Sequence, residues 1–297
     1  MALPTLRQLR YLVALAEHRH FGRAAAACFA TQSTLSAGLQ ELEGLLDAVL
    51  VERTRRRVLL TPLGEEVARR ARALLTGAED IADLCKAARE PLTGRLRLGV
   101  IPTIAPYLLP RALPRLRRAH PRLELVWRED LTARLLERLT GGTLDAALLA
   151  LPYQEADIET EALFDDPFLL ACPPDHPLAA AGRVGQAELA EAPLLLLEEG
   201  HCLRDHALAA CHLKSVAGGE SVLATSLATL VQMVANGLGV TLLPEMAVDA
   251  GVLAGTGLMA RTLDDPAARR TIGLAWRSSS PRKAEFRTLG ALLRPEA

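Results

Sequence analysis

No apolar run in this chain approaches the ~18–20 residues that a membrane-crossing helix needs, so nothing in it points to a helical membrane protein. The opening MALPTLRQLRYL also lacks the charged-then-apolar plan of a secretory leader, and a cytoplasmic protein is expected. Cysteine is scarce: five scattered residues, an odd number, do not make a secreted disulfide framework. In a reducing compartment a cysteine is usually a small buried hydrophobe, and any disulfide there tends to be transient and regulatory. Lysine is nearly missing, since only Lys86, Lys214 and Lys283 stand among 34 basic residues. That skew is a compositional habit from which no function follows. The net charge of −1 gives no overall attraction to nucleic acid either, although a whole-chain average hides local patches. Internal repeats and low-complexity tracts are absent.

What is present is apolar bulk. Half of the 297 residues are apolar, and the length suits two or three domains. Residues 1–60 are helix-like and end in a basic turn, and residues 61–91 read as one uninterrupted helix opened by Thr61 and Pro62. Val67, Leu74, Ile81 and Ala88 recur every seventh residue, with Ala71, Ala78 and Cys85 between them. That a/d seam predicts a helical dimer, and packing on the helix's own domain is the alternative. From Thr93 onward short apolar runs alternate with amphipathic helices, the signature of an α/β domain with a largely parallel sheet. Strands are expected at 96–101, 123–127, 146–151, 168–172, 194–197, 239–243 and 271–276. Helices are expected at 110–120, 132–139, 204–213 and 226–236.

Residues 21–28 form a short helical stretch carrying Arg23, followed by a break and the run Thr31–Glu43. Two helices with a tight turn match the helix-turn-helix plan. The second begins with Thr31, Gln32, Ser33 and Thr34, with Ser36 one turn on, short side chains that can enter a major groove and reach base edges. Arg53, Arg55, Arg56 and Arg57 then precede Val58-Leu59-Leu60, a basic hairpin suited to phosphate contact. Capping and a solvated turn are the plain alternatives.

Between residues 9 and 64 the chain resembles the LysR-type regulators, the whole unit FGRAAAACFATQSTLSAGLQELE included. In that family a TQS-type helix reads the groove and an ERT-type strand opens the wing. Ser33, Gln40 and Asp47 depart from the family's usual Pro, basic residue and Gly.

The segment LEEGHCLRDHALAACHL (197–213) holds two cysteines nine residues apart. Cys202 follows Gly200 where a helix is expected to start, with Arg204 two residues on. A helix N-terminus and a nearby cation both favour the thiolate, the species that attacks a peroxide bond. Nine helical residues rise about 13–14 Å, whereas a disulfide needs Cα atoms within roughly 7 Å. Joining Cys202 to Cys211 therefore requires the segment to unwind. Two other readings stay open here. Cys211 would pass as a buried small residue, and His201, His206 and His212 beside the cysteines would suit zinc or copper, although no compact CxxC or HxxxH pairing occurs.

GHCLRD with a second Cys nine residues on is similar to the peroxide-sensing LysR-type regulators, as are IPTIAPYLLP (101–110), ATSLATL (224–230), GVTLLP (239–244) and RRTIGL (269–274). The resemblance implies that Cys202 is the peroxidatic and Cys211 the resolving thiol, redox-active as a pair. It implies a peroxide pocket of Thr103, Thr132, His201 and Arg270, with Arg204 and Asp205 in the same shared stretch. The implied architecture is α/β: a winged helix-turn-helix (1–60), a linker helix (61–91) and a two-lobed Rossmann-like regulatory domain (92–297). The two lobes would resemble periplasmic binding proteins, lobe I being 92–164 plus 271–297 and lobe II 165–270. The implied partners are double-stranded promoter DNA, RNA polymerase, further copies in a homodimer or homotetramer, hydrogen peroxide as the signal and a cellular thiol-disulfide reductant. No cofactor, metal or membrane is expected. Cys28 and Cys172 read as packing residues. Two rivals remain: a LysR-type regulator of a small organic effector in the inter-lobe cleft, and a thiol peroxidase, which the DNA-binding unit disfavours.

Overall fold

The computed structural model describes residues 3–53, 58–87, 90–153, 155–210 and 224–295, in a chain that divides between Arg89 and Glu90 into two compact units. The first unit is α1 (Leu6–His18), α2 (Phe21–Ala27), α3 (Gln32–Leu46), β1 (Val51–Arg53), β2 (Val58–Leu60) and α4 (Pro62–Ala87). Its helix starts are written locally. Thr5 and Gln8 form a capping box at α1, and the side chains of His20 and Thr31 accept from Arg23 N–H and Thr34 N–H at α2 and α3. Leu12, Leu15, Leu35, Leu42 and Leu50 are fully buried between the helices. β1 and β2 pair antiparallel, Val51 opposite Leu60, as the wing requires.

The linker helix starts where expected, with the Gly64 N–H donating to Thr61 Oγ1 at 2.9 Å. It is shorter than 61–91: a bend at Glu90 and a turn at Pro91 follow it, because a proline disfavours the helical region for the residue before it. The expected seam is split. Ala71 is buried with Ala68 against the unit's own core, while Leu74 and Ile81 stay 60% and 68% exposed and Cys85 is exposed as well. The first half of α4 is thus packed on its own domain, held further by Arg19–Glu65 (2.6 Å) and Arg72–Glu17 (3.3 Å) pairs to α1 and its cap.

The second unit runs β3 (Gly94–Val100), α5 (Ala105–Ala119), β4 (Leu123–Glu129), α6 (Thr132–Thr140), β5 (Ala146–Leu151) and β6 (Ile158–Cys172). It continues with β7 (Arg183–Val184), α7 (Gln186–Glu191), β8 (Leu194–Leu195), α8 (Cys202–Ala210), α9 (Leu227–Ala235), β9 (Val240–Pro244), α10 (Glu245–Asp249), β10 (Met259–Leu263), β11 (Arg269–Arg277) and α11 (Lys283–Leu293). The sheet is mixed rather than largely parallel. β3 lies parallel to both β4 and β5, but β11 is antiparallel to β5 and to β6, and β6 is antiparallel to β9 and β10. The expected strand 168–172 is the far end of the 15-residue β6. That strand pairs with β11 through Pro167, then with β9 from Phe168. Crossing near 163–167 and return at Arg269 are therefore one paired feature, Arg269 standing opposite Pro167. α5 begins at Ala105 rather than Pro110, with a proline in its first turn and Pro110 and Pro114 inside it. Two apolar cores result. One gathers Leu98, Leu148, Leu274, Trp276 and Phe286, the other Phe168, Leu170, Leu230 and Leu242.

A side chain on Gly64 would collide with the Leu50 carbonyl oxygen. Gly64→Ala is therefore expected to cost about 1–3 kcal/mol by overpacking, read as a lowered urea midpoint of the first unit. An unchanged midpoint would show that α4 and the wing are not tightly apposed.

Candidate functional site

Three chain segments meet around Cys202: Ile101–Thr103 after β3, Leu131–Thr132 at the start of α6, and Gly200–Leu203 at the start of α8. Each leads into a helix, α5, α6 and α8, so three helix N-termini are gathered at one narrow niche. The partial positive charge of those termini favours negative charge forming there. Cys202 is the first residue of α8, half-buried and free. Gly200 turns the chain into the helix with φ +94, a left-handed conformation suited to glycine.

The niche walls include Thr103, Thr132, His201 and Cys202. Thr132 is buried, and its hydroxyl meets no hydrogen-bond partner among the described residues. A buried orphan hydroxyl costs free energy unless something else satisfies it. His201 is buried, and burial holds its imidazole below the ordinary value.

Arg270 does not line the niche. It is fully buried, donates from Nε to Asp166 Oδ2 at 3.0 Å, and grips Thr103 with Nη1 to Oγ1 at 2.8 Å and Nη2 to the carbonyl at 3.0 Å. Its charge therefore reaches the niche through Thr103. Asp166 also accepts the Met246 N–H at 3.0 Å. Sequence reasoning missed Asp166. The signal was available: an arginine in an apolar strand needs a carboxylate, and Asp165 and Asp166 precede the Pro167 that pairs with Arg269. Two expected pocket residues lie elsewhere. Arg204 is half-buried and donates to the Leu197 carbonyl at 3.4 Å, and Asp205 is exposed; neither lines the niche. At the start of a helix, consecutive side chains fan out in different directions, and only Cys202 and Leu203 face inward. His206, one turn beyond Cys202, has a buried Nδ1 without a partner among the described residues, and burial with the Arg270 charge lowers its pKa. Cys211 and His212 lie outside the described residues. Among those described, no three His, Cys, Asp or Glu side chains gather as metal ligands.

On the first unit Thr31, Gln32, Ser33 and Thr34 are all exposed at the start of α3. Thr31 Oγ1 lies 2.9 Å from Ser33 Oγ and 2.7 Å from Thr34 Oγ1, which organises the cluster while it caps the helix. Ser36 is half-buried. Arg23 is exposed and donates to the His18 carbonyl at 3.0 Å. Arg53 ends β1, and Arg55, Arg56 and Arg57 lie outside the described residues. Cys28 and Cys172 have thiols pushed up by burial, the environment of unreactive packing residues.

Comparison with known proteins settles the family. Residues 6–65 match the bacterial regulatory helix-turn-helix protein model of the lysR family, and residues 89–297 match the LysR substrate binding domain. The chain belongs to the LysR family of transcriptional regulators. A probable hydrogen peroxide-inducible genes activator from Streptomyces viridosporus is 46% identical, the match covering 98% of this chain and 94% of that protein. The HTH-type transcriptional regulator EstR of Acinetobacter baylyi is 44% identical, with 96% and 94% covered. A full-length OxyR variant from Pseudomonas aeruginosa superposes with a TM-score of 0.83 at 40% identity, covering 99% of this chain and 95% of that one. A LysR-type regulator binds promoter DNA through the helix-turn-helix unit, and the family is not one of enzymes. No helix among the described residues is long and apolar enough to cross a membrane.

Two outcomes are expected. Asp166→Ala strands the buried Arg270 charge and should destabilise the second unit by about 3–5 kcal/mol, seen in urea unfolding; a small change would mean that Arg270 finds another counter-charge. His201 and His206 are held below the ordinary 6.5. Their protonation therefore favours the unfolded chain, so stability is full above about pH 6.5 and falls as pH drops below it. His206→Gln should flatten that fall, measured as the difference in urea midpoint between pH 7.5 and 5.5.

Proposed function

We propose that this regulator senses hydrogen peroxide through Cys202, with Cys211 as the resolving thiol, and activates oxidative-stress defence genes. The observation that carries this reading is Cys202 on the first turn of α8, in a niche it shares with the unpartnered Thr132 hydroxyl. The name of the Streptomyces relative supports it.

The Cys202 thiolate attacks one peroxide oxygen. The S–O bond forms, the O–O bond breaks, and the second oxygen leaves as hydroxide and takes a proton to become water. Thr103 and Thr132 offer hydroxyls that orient the peroxide. Arg270, through its two bonds to Thr103, opposes the charge that develops on the departing oxygen. The resulting sulfenic acid condenses with the Cys211 thiol, forming the S–S bond and releasing a second water. Helix α8 stands in the way. Cys202 and Ala210 are its ends, about 12 Å apart at ~1.5 Å per residue. A residue joined to Ala210 comes no nearer to Cys202 than about 8 Å while α8 is intact, against the roughly 7 Å a disulfide allows. Closure therefore unwinds α8, and chemistry becomes a change of shape.

The exposed Leu74 and Ile81 on α4 support pairing into a homodimer, which would assemble further into a tetramer. The lobes 92–164 plus 271–297 and 165–270, joined where β6 and β11 cross, would shift on oxidation and change the DNA half-sites reached. RNA polymerase and a cytoplasmic thiol-disulfide reductant complete the cycle.

Sub-stoichiometric peroxide is expected to remove two thiols per peroxide consumed in the intact protein and none in Cys202→Ser. Cys211→Ser should stop at a sulfenic acid that dimedone traps. Thr132→Val should slow oxidation at least about tenfold, through loss of one preorganised donor. Retained loss of two thiols per peroxide in Cys202→Ser would sink the assignment.

A further inference from the structure

Phe29 stands in the turn between α2 and α3, and its side chain is 100% exposed. Its backbone is left-handed, with φ +52. The turn itself demands that conformation. The Phe29 N–H donates to the Ala26 carbonyl at 3.1 Å and the Ala30 N–H to the Ala25 carbonyl at 2.9 Å. These are the paired bonds of a Schellman motif, whose left-handed position ordinarily holds glycine or asparagine. A bulky residue there is strained, because its Cβ crowds its own backbone. Three other non-glycine residues among those described share a positive φ, and each has a reason to be there. Arg19 pairs with Glu65, Leu92 is fully buried, and an aspartate such as Asp47 tolerates the conformation. Phe29 has none of these, while Ala30 beside it packs on the core. An exposed apolar side chain alone is ordinary. One that also strains the backbone, where asparagine or glycine would sit freely, points to a use outside the folded chain.

The neighbours indicate what that use is. Phe29 lies two residues before Thr31, the N-cap of α3, so their Cα atoms are within about 7.6 Å of each other at ~3.8 Å per step. Thr31, Gln32, Ser33 and Thr34 are exposed there. In a helix-turn-helix unit the start of the second helix enters the major groove, where short polar side chains bond base edges. An uncharged ring has nothing to offer a phosphate. The apolar group that the groove presents is the C5-methyl of thymine, and apolar side chains, phenylalanine among them, are what meet it.

We propose that Phe29 is a specificity-determining residue of DNA recognition, its ring resting on the methyl group of a thymine in the major groove beside the start of α3. The proposal rests on the helix-turn-helix unit and is independent of the chemistry at Cys202. The full-length reduced protein is first used to enrich a preferred sequence from a pool of random-sequence duplexes. That duplex is then resynthesised with deoxyuridine in place of each thymine in turn, which removes the C5-methyl and nothing else. By fluorescence anisotropy, at least one replacement is expected to weaken the parent protein about fourfold, the worth of one buried methyl group. The same replacement should leave Phe29→Asn and Phe29→Gly unaffected, and both variants should bind the thymine duplex about fourfold more weakly than the parent. Their urea midpoints should equal or exceed the parent's, because both residues accept the left-handed turn. A parent indifferent to every methyl, variants that keep the parent's preference for thymine, or midpoints lowered in both variants would each overturn the proposal alone. A pool that yields no preferred duplex would overturn DNA reading by this unit, and the proposal with it.

Discussion

The regulatory unit depends on the pairing of β6 with β11. These two long antiparallel strands run from one apolar core toward the other, and β6 exchanges β11 for β9 at Pro167 and Phe168. The buried Arg270–Asp166 pair sits at this exchange, 2.9 Å apart and shielded from water. Burying two charges is costly unless each also satisfies its remaining hydrogen-bonding groups. Here the arginine spends its other two nitrogens on Thr103 and the carboxylate accepts from Met246, so strands, niche and α10 are fixed to one another.

That arrangement explains why Cys202 sits where it does. The turn after β3 and the start of α6 lie together because parallel β3 and β4 end on the same side of the sheet, where α/β proteins gather their ligands, and the start of α8 meets them there. Thr103 is fixed by Arg270 from behind, Thr132 is the first residue of its helix, and Cys202 is the first residue of another. The pocket is thus built mainly from backbone placement, and few long side chains take part.

How much of this was legible in the sequence varies with the range of the interaction responsible. The winged unit was readable almost residue by residue, because Thr31 caps its own helix and Thr61 the next. Cys202 at a helix start was readable for the same reason: Gly200 and the following apolar spacing are local signals. The sheet's mixed sense was not, since β11 returns from over a hundred residues away and nothing in its apolar run states a direction. Asp166 escaped because its partner Arg270 is 104 residues distant. Arg204 and Asp205 were drawn into the pocket by their neighbours in a shared stretch, whereas a helix start turns successive side chains to different sides. The linker seam divides along its length, Val67 and Ala71 packing on the unit's own core while Leu74 and Ile81 stay exposed, a division that heptad spacing alone does not reveal.

The close seat of Gly64 under Leu50 has a mechanical meaning. With its first turns clamped to the wing and to α1, the 26-residue α4 is a stiff arm about 39 Å long at 1.5 Å per residue. A tilt of about 5° at its fixed end moves the far end by roughly 3 Å over that length. The relation works in reverse: a few ångströms of displacement near Ala87 become a rotation of the helix-turn-helix unit. DNA phase along the double helix is sensitive to rotation, so a stiff lever of this length converts small displacements into changes of angular register.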